Sequence, residues 1–212
     1  MRKYVLFVLF TLFSVSLNAQ TGNMLSATEA KEVMQSLTRA ASQIKTLQCA
    51  FVQQKSSALL AENAVAKGKM LFRSPDRLRW QYTEPFAYTL LVRGDSVTVQ
   101  SAGQTQGETA ANSRLQKAVS GMVTGMVSGR RLFDENAYEI QLFDHGTSWK
   151  AEMRPKSRNM KRMFSRLTLS FDKQTRLLSE LVIEETGGDW TSIRFKEVRT
   201  NLPVSEKMFS IR

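Results

Sequence analysis

From Leu47 to Phe195, short runs of residues alternate apolar and polar side chains at every second position, and no other pattern in the chain restricts the fold as strongly. Successive strand residues point to opposite faces, so each run buries one face and wets the other. The clearest run sets Leu78, Trp80 and Tyr82 against Arg77, Arg79 and Gln81. Leu47, Cys49 and Phe51 come before it, as do Met70 and Phe72. Tyr88, Leu90 and Val92 follow, then a turn at Arg93-Gly94-Asp95-Ser96 and the pair Val97 and Val99. Further runs centre on Ile140, Ala151, Leu169, Leu181 and Ile193. The turn signals Asp144-His145-Gly146-Thr147, Asp172-Lys173-Gln174-Thr175 and Thr186-Gly187-Gly188-Asp189 join neighbours as hairpins. About ten strands connected in this way make an antiparallel sheet large enough to curl.

Two segments carry a helical period instead. Over residues 27–44, Ala30, Val33, Met34, Leu37, Ala41 and Ile44 form one apolar stripe, and Ser26-Ala27-Thr28-Glu29 opens the segment with a capping box. Over residues 111–128, Leu115, Val119, Met122, Val123 and Met126 recur at helical spacing, with Gly121, Gly125 and Gly129 on one side. Glycine costs a helix about 1 kcal/mol per position relative to Ala. Two readings of this second helix stand: a mobile Met-lined flap, or small residues that let a short helix sit close to the sheet.

The N-terminus sets the compartment. Arg2 and Lys3 precede an uncharged run from Tyr4 to Leu17, then Asn18 and Ala19, the pattern of a secretory signal peptide over residues 1–19. Its 14-residue run is shorter than the roughly 17 to 25 residues that span a bilayer. Residues 20–212 then read as one domain, because no linker, charge block or repeat divides them. No Cys closely follows the run, so a soluble protein of the periplasm is expected. The net charge of +11 would by composition suggest nucleic acid. Removal of residues 1–19 takes away two basic residues and no acidic one, leaving +9 on a protein that meets lipid headgroups, envelope polymers and acidic protein surfaces rather than a genome. No nucleic-acid partner is therefore expected.

Residues able to carry chemistry are few. There is one His and one Cys, no Gly-x-Ser-x-Gly elbow, no phosphate loop and no metal-ligand spacing, so neither an enzyme, a cofactor nor a bound metal is expected. His145 reads as a solvated turn residue. An exported hydrolase using Asp144 and His145 is the remaining enzymatic reading. Cys49, between Leu47 and Phe51, reads as a buried thiol. The basic cluster Arg154, Lys156, Arg158, Lys161, Arg162 and Arg166 contains no acidic residue. It is either a solvated loop or a docking patch for phosphate headgroups or an acidic partner.

The run from Gly68 through Pro75, Trp80 and Pro85 resembles the signature of the LolA family of periplasmic outer-membrane lipoprotein carriers. Phe51-x-Gln53 is similar to the family's first strand. Arg154-Pro155-Lys156, Leu167 to Asp172, Gly188 to Phe195, and Asn201-Leu202-Pro203-Val204 with Phe209 are similar to its C-terminal half in order and spacing. The resemblance implies a mainly β fold with helices: an unclosed antiparallel barrel of about ten to eleven strands, with a helical lid over an apolar concave face that holds acyl chains. It implies a monomer that takes lipoprotein cargo from an inner-membrane ABC transporter and delivers it to an outer-membrane receptor. A lipid- or polypeptide-sensing module of the same fold, acting on a membrane regulator, is the alternative. The family's lid-latching arginine stands immediately before the first Pro. Here that position is Ser74, and Arg73 one step earlier points to the other face if the strand is regular.

On this basis Met70, Phe72, Leu78, Trp80, Tyr82, Leu90 and Val92, with Met122 and Met126 above them, are the candidate acyl-chain surface, each equally readable as ordinary core. Arg154, Lys156, Arg158, Lys161 and Arg162 are the candidate docking residues.

Overall fold

The computed structural model describes residues 22–58, 62–94, 96–101, 104–106, 125 and 132–210. The expected signal peptide, and the helix expected over 111–128 with Met122 and Met126, lie outside these residues, Gly125 excepted.

Helix α1 spans Ala27–Ser42. Its first turn would leave backbone donors open. The capping box closes them: the Ser26 amide donates to Glu29 Oε2 at 2.9 Å and the Glu29 amide donates to Ser26 Oγ at 3.4 Å. The apolar stripe faces the sheet, with Leu37 and Ala41 buried and Ala30, Val33 and Met34 packed against the core.

The described strands are β1 (Asn23–Met24), β2 (Thr46–Ser56), β3 (Ala64–Arg73), β4 (Arg77–Glu84), β5 (Tyr88–Arg93) and β6 (Ser96–Ser101), then β7 (Gln104–Gln106), β8 (Tyr138–Asp144), β9 (Ser148–Pro155), β10 (Phe164–Asp172), β11 (Leu178–Glu185) and β12 (Trp190–Thr200). They form one sheet in the order β1-β8-β9-β10-β11-β12-β2-β3-β4-β5-β6-β7, antiparallel throughout. The ten alternating runs are β2 to β6 and β8 to β12. The other two strands, of two and three residues, are too short to display a period. Twelve strands in one sheet exceed the ~10 that an open sheet carries easily, so the sheet curls. The two outermost strands, β1 and β7, do not pair with one another, and the barrel is unclosed. A bulge adds to the curl: the pairing of β12 with β2 shifts between Lys196 and Arg199, where Glu197 has φ 53°.

The inner face carries the core. Leu47, Cys49 and Phe51 of β2, Met70 and Phe72 of β3, and Leu78 and Trp80 of β4 join Met153, Leu169, Phe171 and Leu181 across the sheet in one buried cluster with α1. Gly68 lies opposite both Phe51 and Tyr82, where a Cβ would overlap the Phe51 ring and the Gln81 carbonyl. Only glycine leaves room for the Phe51 ring beside the Gln81 carbonyl at that point.

The register defines two ends. At the first, α1 enters β2, and Asn201 Oδ1 accepts from the Lys45 amide at 2.7 Å while the Asn201 amide donates to the Thr46 carbonyl at 2.8 Å. At the second lie the β2–β3, β4–β5, β9–β10 and β11–β12 turns, the β9–β10 turn containing the one-turn helix α2 (Arg158–Lys161).

The outer face of β4 departs from the expected wet surface. A 3-10 turn at Glu206–Phe209 covers it. Arg79 Nη1 donates to the Met208 carbonyl at 3.1 Å, Arg93 Nε donates to the Phe209 carbonyl at 2.8 Å, and Arg73 and Arg77 both pair with Glu206. Phe209 is fully buried beneath these contacts.

Candidate functional site

The alternation that makes the strands also brings the candidate residues together. Met70, Phe72, Leu78, Trp80, Tyr82, Leu90 and Val92 all join the cluster on the inner face of β3, β4 and β5. The rings stack in a chain along that face. Phe51 and Trp80 lie 4.4 Å apart between centroids, Phe51 meets Tyr82 edge-on at 5.2 Å, and Trp80 meets Phe195 edge-on at 6.3 Å. Tyr82 continues the chain to Tyr88 at 5.8 Å. The Tyr82 hydroxyl donates to Gln53 Oε1 at 2.8 Å, and burial raises its pKa. Trp80 Nε1 is buried and makes no hydrogen bond of normal geometry, alone among the buried side-chain polar atoms of the described residues, although it lies close enough to the Tyr82 hydroxyl to favour that group's charged form. An unpaired buried donor costs about 1 to 3 kcal/mol. Phe51, Phe195 and Ile183 extend this surface although the sequence reading did not single them out as site residues; their own alternating runs were the available signal.

Exposure of the inner face changes along its length. Towards the first end α1 covers it, and Leu37, Ala41 and Ile44 close over Leu47, Cys49 and Phe171 to leave a cleft of about 40 Å³. Ligand pockets for small molecules usually measure about 300 to 1,000 Å³. Towards the second end the inward side chains Tyr82, Tyr88, Phe164, Ile183 and Tyr138 are only half-buried. Among the described residues, the apolar inner face is therefore covered by α1 at one end and only half-buried at the other.

Cys49 reports on that closure. Burial pushes its thiol up to about 12 from 9.0, which lowers the thiolate fraction at neutral pH roughly a thousandfold. Maleimide labelling of the folded protein is expected to be slower than that of the urea-unfolded protein by at least about this factor. Equal rates would show that α1 does not shield the cleft.

Arg73 does point to the face opposite Met70 and Phe72, and it holds Glu206 of the C-terminal turn rather than α1. Ser74 donates its amide to the Lys45 carbonyl at 2.8 Å. Among the described residues no hydrogen bond or ion pair joins an arginine of this corner to the helix, and the arginine that lines the cleft beside Leu37 and Ala41 is Arg176 of the β10–β11 turn.

The basic cluster divides. Arg166, unpaired by sequence, is committed: it bonds Glu184 through two nitrogens at 2.9 Å each and Glu152 at 3.1 Å, and the Glu184 bonds raise its pKa. Arg154 and Lys156 share a polar groove with Glu135, Glu139 and Glu152. Arg158, Lys161 and Arg162 are exposed and form no ion pair among the described residues. His145 is not fully solvated, as the sequence suggested. It is half-buried against Gly22, and burial, then Lys150, lowers its pKa. Its neighbour Asp144 accepts from Lys173 Nζ at 2.7 Å through both oxygens, an ion pair at a hairpin corner. Among the described residues no three His, Cys, Asp or Glu side chains gather as a metal site would need, and no helix is long and apolar enough to cross a membrane.

The family described as outer membrane lipoprotein carrier protein LolA matches residues 42–212. The chain belongs to the LolA family. The match starts at the last residue of α1, so it rests on the sheet. A LolA-family relative from Nitrosomonas europaea named outer-membrane lipoprotein carrier protein is 28% identical over 145 residues, 68% of this chain and 67% of that one. A second of the same name from Methylococcus capsulatus is 24% identical over 176 residues, 78% of this chain and 76% of that one. Among solved structures, the MucA/MucB complex of Pseudomonas aeruginosa shares the fold with a TM-score of 0.54 at 14% identity. That alignment covers 87% of this chain and 61% of the other, so this chain spans about three-fifths of that neighbour's length.

Proposed function

We propose that the protein is a periplasmic, non-enzymatic carrier that encloses the acyl chains of a lipoprotein, or of a related lipid, during transfer from the inner to the outer membrane. The observation that carries this reading is the continuous apolar inner face, covered by a separate helix at one end and half-open at the other. A chain of about 16 carbons left in water costs on the order of 12 kcal/mol, so a carrier has to enclose nearly all of it. The closed cleft is far too small for that, and cargo enters when α1 lifts and yields its place on the sheet. The aromatic row from Tyr88 to Phe195 supplies the deeper wall, and the unpaired Trp80 Nε1 is a donor for an ester or amide carbonyl at the head of the chain. The sequence holds no phosphate loop, so transfer runs on differences in affinity between an inner-membrane ABC transporter, this protein and an outer-membrane receptor, the partners that the family resemblance implies.

Protein purified from an envelope fraction is expected to carry lipid detectable by mass spectrometry, and delipidated protein to take up a fluorescent fatty acid. Repeated recovery without lipid, together with no uptake, would exclude the carrier. The second reading, a lipid- or polypeptide-sensing module acting on a membrane regulator, is favoured by Arg73, which holds the C-terminal turn and leaves α1 without an arginine latch at that corner. Capture of a transporter in a pull-down selects the first reading, and capture of a signalling protein selects the second.

A further inference from the structure

The second end of the sheet carries features that neither the core nor the closed cleft uses. Phe86, in the β4–β5 turn, is 80% exposed, and Met163, just after α2 in the β9–β10 turn, is 42% exposed. The two turns stand at the same end of the sheet, with four strands, β11, β12, β2 and β3, between β10 and β4, and this is the end where the inward side chains are only half-buried. Scattered exposed apolar residues are ordinary on a soluble protein. These two flank an opening lined by half-buried aromatic side chains, and one of them adjoins a cluster of unpaired cations.

The acids at this end have partners of different kinds: Glu84 pairs with Lys67 at 2.8 Å, Glu185 with Lys55 at 3.3 Å and Glu184 with Arg166 at 2.7 Å, Asp189 accepts from the Ala58 amide at 3.1 Å, Glu135 and Glu139 share the polar groove with Arg154 and Lys156, and Glu62 is exposed in the β2–β3 turn. Arg158, Lys161 and Arg162 form no ion pair among the described residues and stand together, exposed, on a short turn held in place by the Ser157 cap and by Thr186 Oγ1, which donates to the Lys161 carbonyl at 2.6 Å.

We infer that this rim docks on an anionic lipid surface, with Arg158, Lys161 and Arg162 against the phosphate headgroups and Phe86 and Met163 seated at the headgroup boundary, so that the mouth faces the bilayer. Apolar side chains flanked by cations are what such an interface binds, and each Lys or Arg near an anionic leaflet adds a comparable increment. The inference deepens the carrier reading, since it states where an acyl chain would pass, but its test is separate from acyl uptake.

Flotation with vesicles of phosphatidylcholine alone, and of phosphatidylcholine mixed with phosphatidylglycerol, measures it. The protein is expected to float with the anionic vesicles, less so as salt rises, and not with the neutral ones. Phe86→Ser is expected to weaken binding about tenfold while leaving uptake of a fatty acid from solution unchanged. The triple substitution Arg158→Gln, Lys161→Gln, Arg162→Gln is expected to weaken it about a hundredfold. Absence of binding, or binding indifferent to both variants, overturns the inference. A triple variant that loses an acidic partner protein while the parent never floats would assign the rim to a protein instead. Intact vesicle binding with no acyl uptake would remove the carrier reading and leave the docking surface standing.

Discussion

Trp80→Glu is expected to abolish fatty-acid uptake and to lower the stability of the protein by several kcal/mol. Trp80 is 7% exposed, stacked on Phe51 and edge-on to Phe195 in the middle of the inner face. A carboxylate there has no cationic partner among the core residues around it. It either stays charged at a cost of several kcal/mol or takes up a proton, and in both cases it places a polar group where a methylene chain would lie. Loss of uptake in this variant alone does not separate a broken site from a loosened fold, so Trp80→Phe is its companion. That change keeps an aromatic ring and removes the unpaired indole donor, at little cost to packing. Uptake in calorimetric or fluorescence titration is expected to persist in Trp80→Phe and vanish in Trp80→Glu. If Trp80→Glu binds as the parent does, acyl chains do not use this face.

Leu37→Ala addresses the helix instead of the sheet. Leu37 is fully buried at the centre of the α1 stripe, and such truncations cost about 2 to 5 kcal/mol. If α1 is a lid, the loss falls on its docking and the sheet beneath is spared. Opening then becomes more frequent by a factor between about thirty and several thousand, which maleimide labelling of Cys49 reads directly. A large rise in labelling with a small change in the denaturant midpoint of the sheet is the expected outcome. A midpoint lowered by the full amount with labelling unchanged would make α1 part of a fixed core and would remove the entry route.

The period of two fixed more than secondary structure. Once Leu78, Trp80 and Tyr82 share a face, so do Met70 and Phe72 across one ladder and Leu90 and Val92 across the next, because antiparallel partners point the same way. The inner face of β3, β4 and β5 was therefore legible residue by residue in the sequence, while Phe51, Phe195 and Ile183 joined it only through the pairing of more distant strands. The same rule placed Arg73 on the outer face, opposite Met70 and Phe72, and the capping box at Ser26 placed the start of α1. The short strands β1 and β7 were illegible, since a period needs more residues than either has.

What the sequence could not supply was the partner of each outward or exposed group. Arg77 and Arg79 alternate as solvent-facing residues should, yet a turn about 130 positions later covers them. Arg166 belongs to a run without acids, and the register of β10 with β11 and β9 delivers Glu184 and Glu152 to it. His145 meets Gly22 because β1 pairs with β8. Local chemistry acts between neighbours in sequence, and so the alternation, the caps and the turns were determined by the sequence alone. Charge pairing, burial of a polar face and the closure of the cleft depend on which distant strands the sheet sets side by side, and only the tertiary structure decided those.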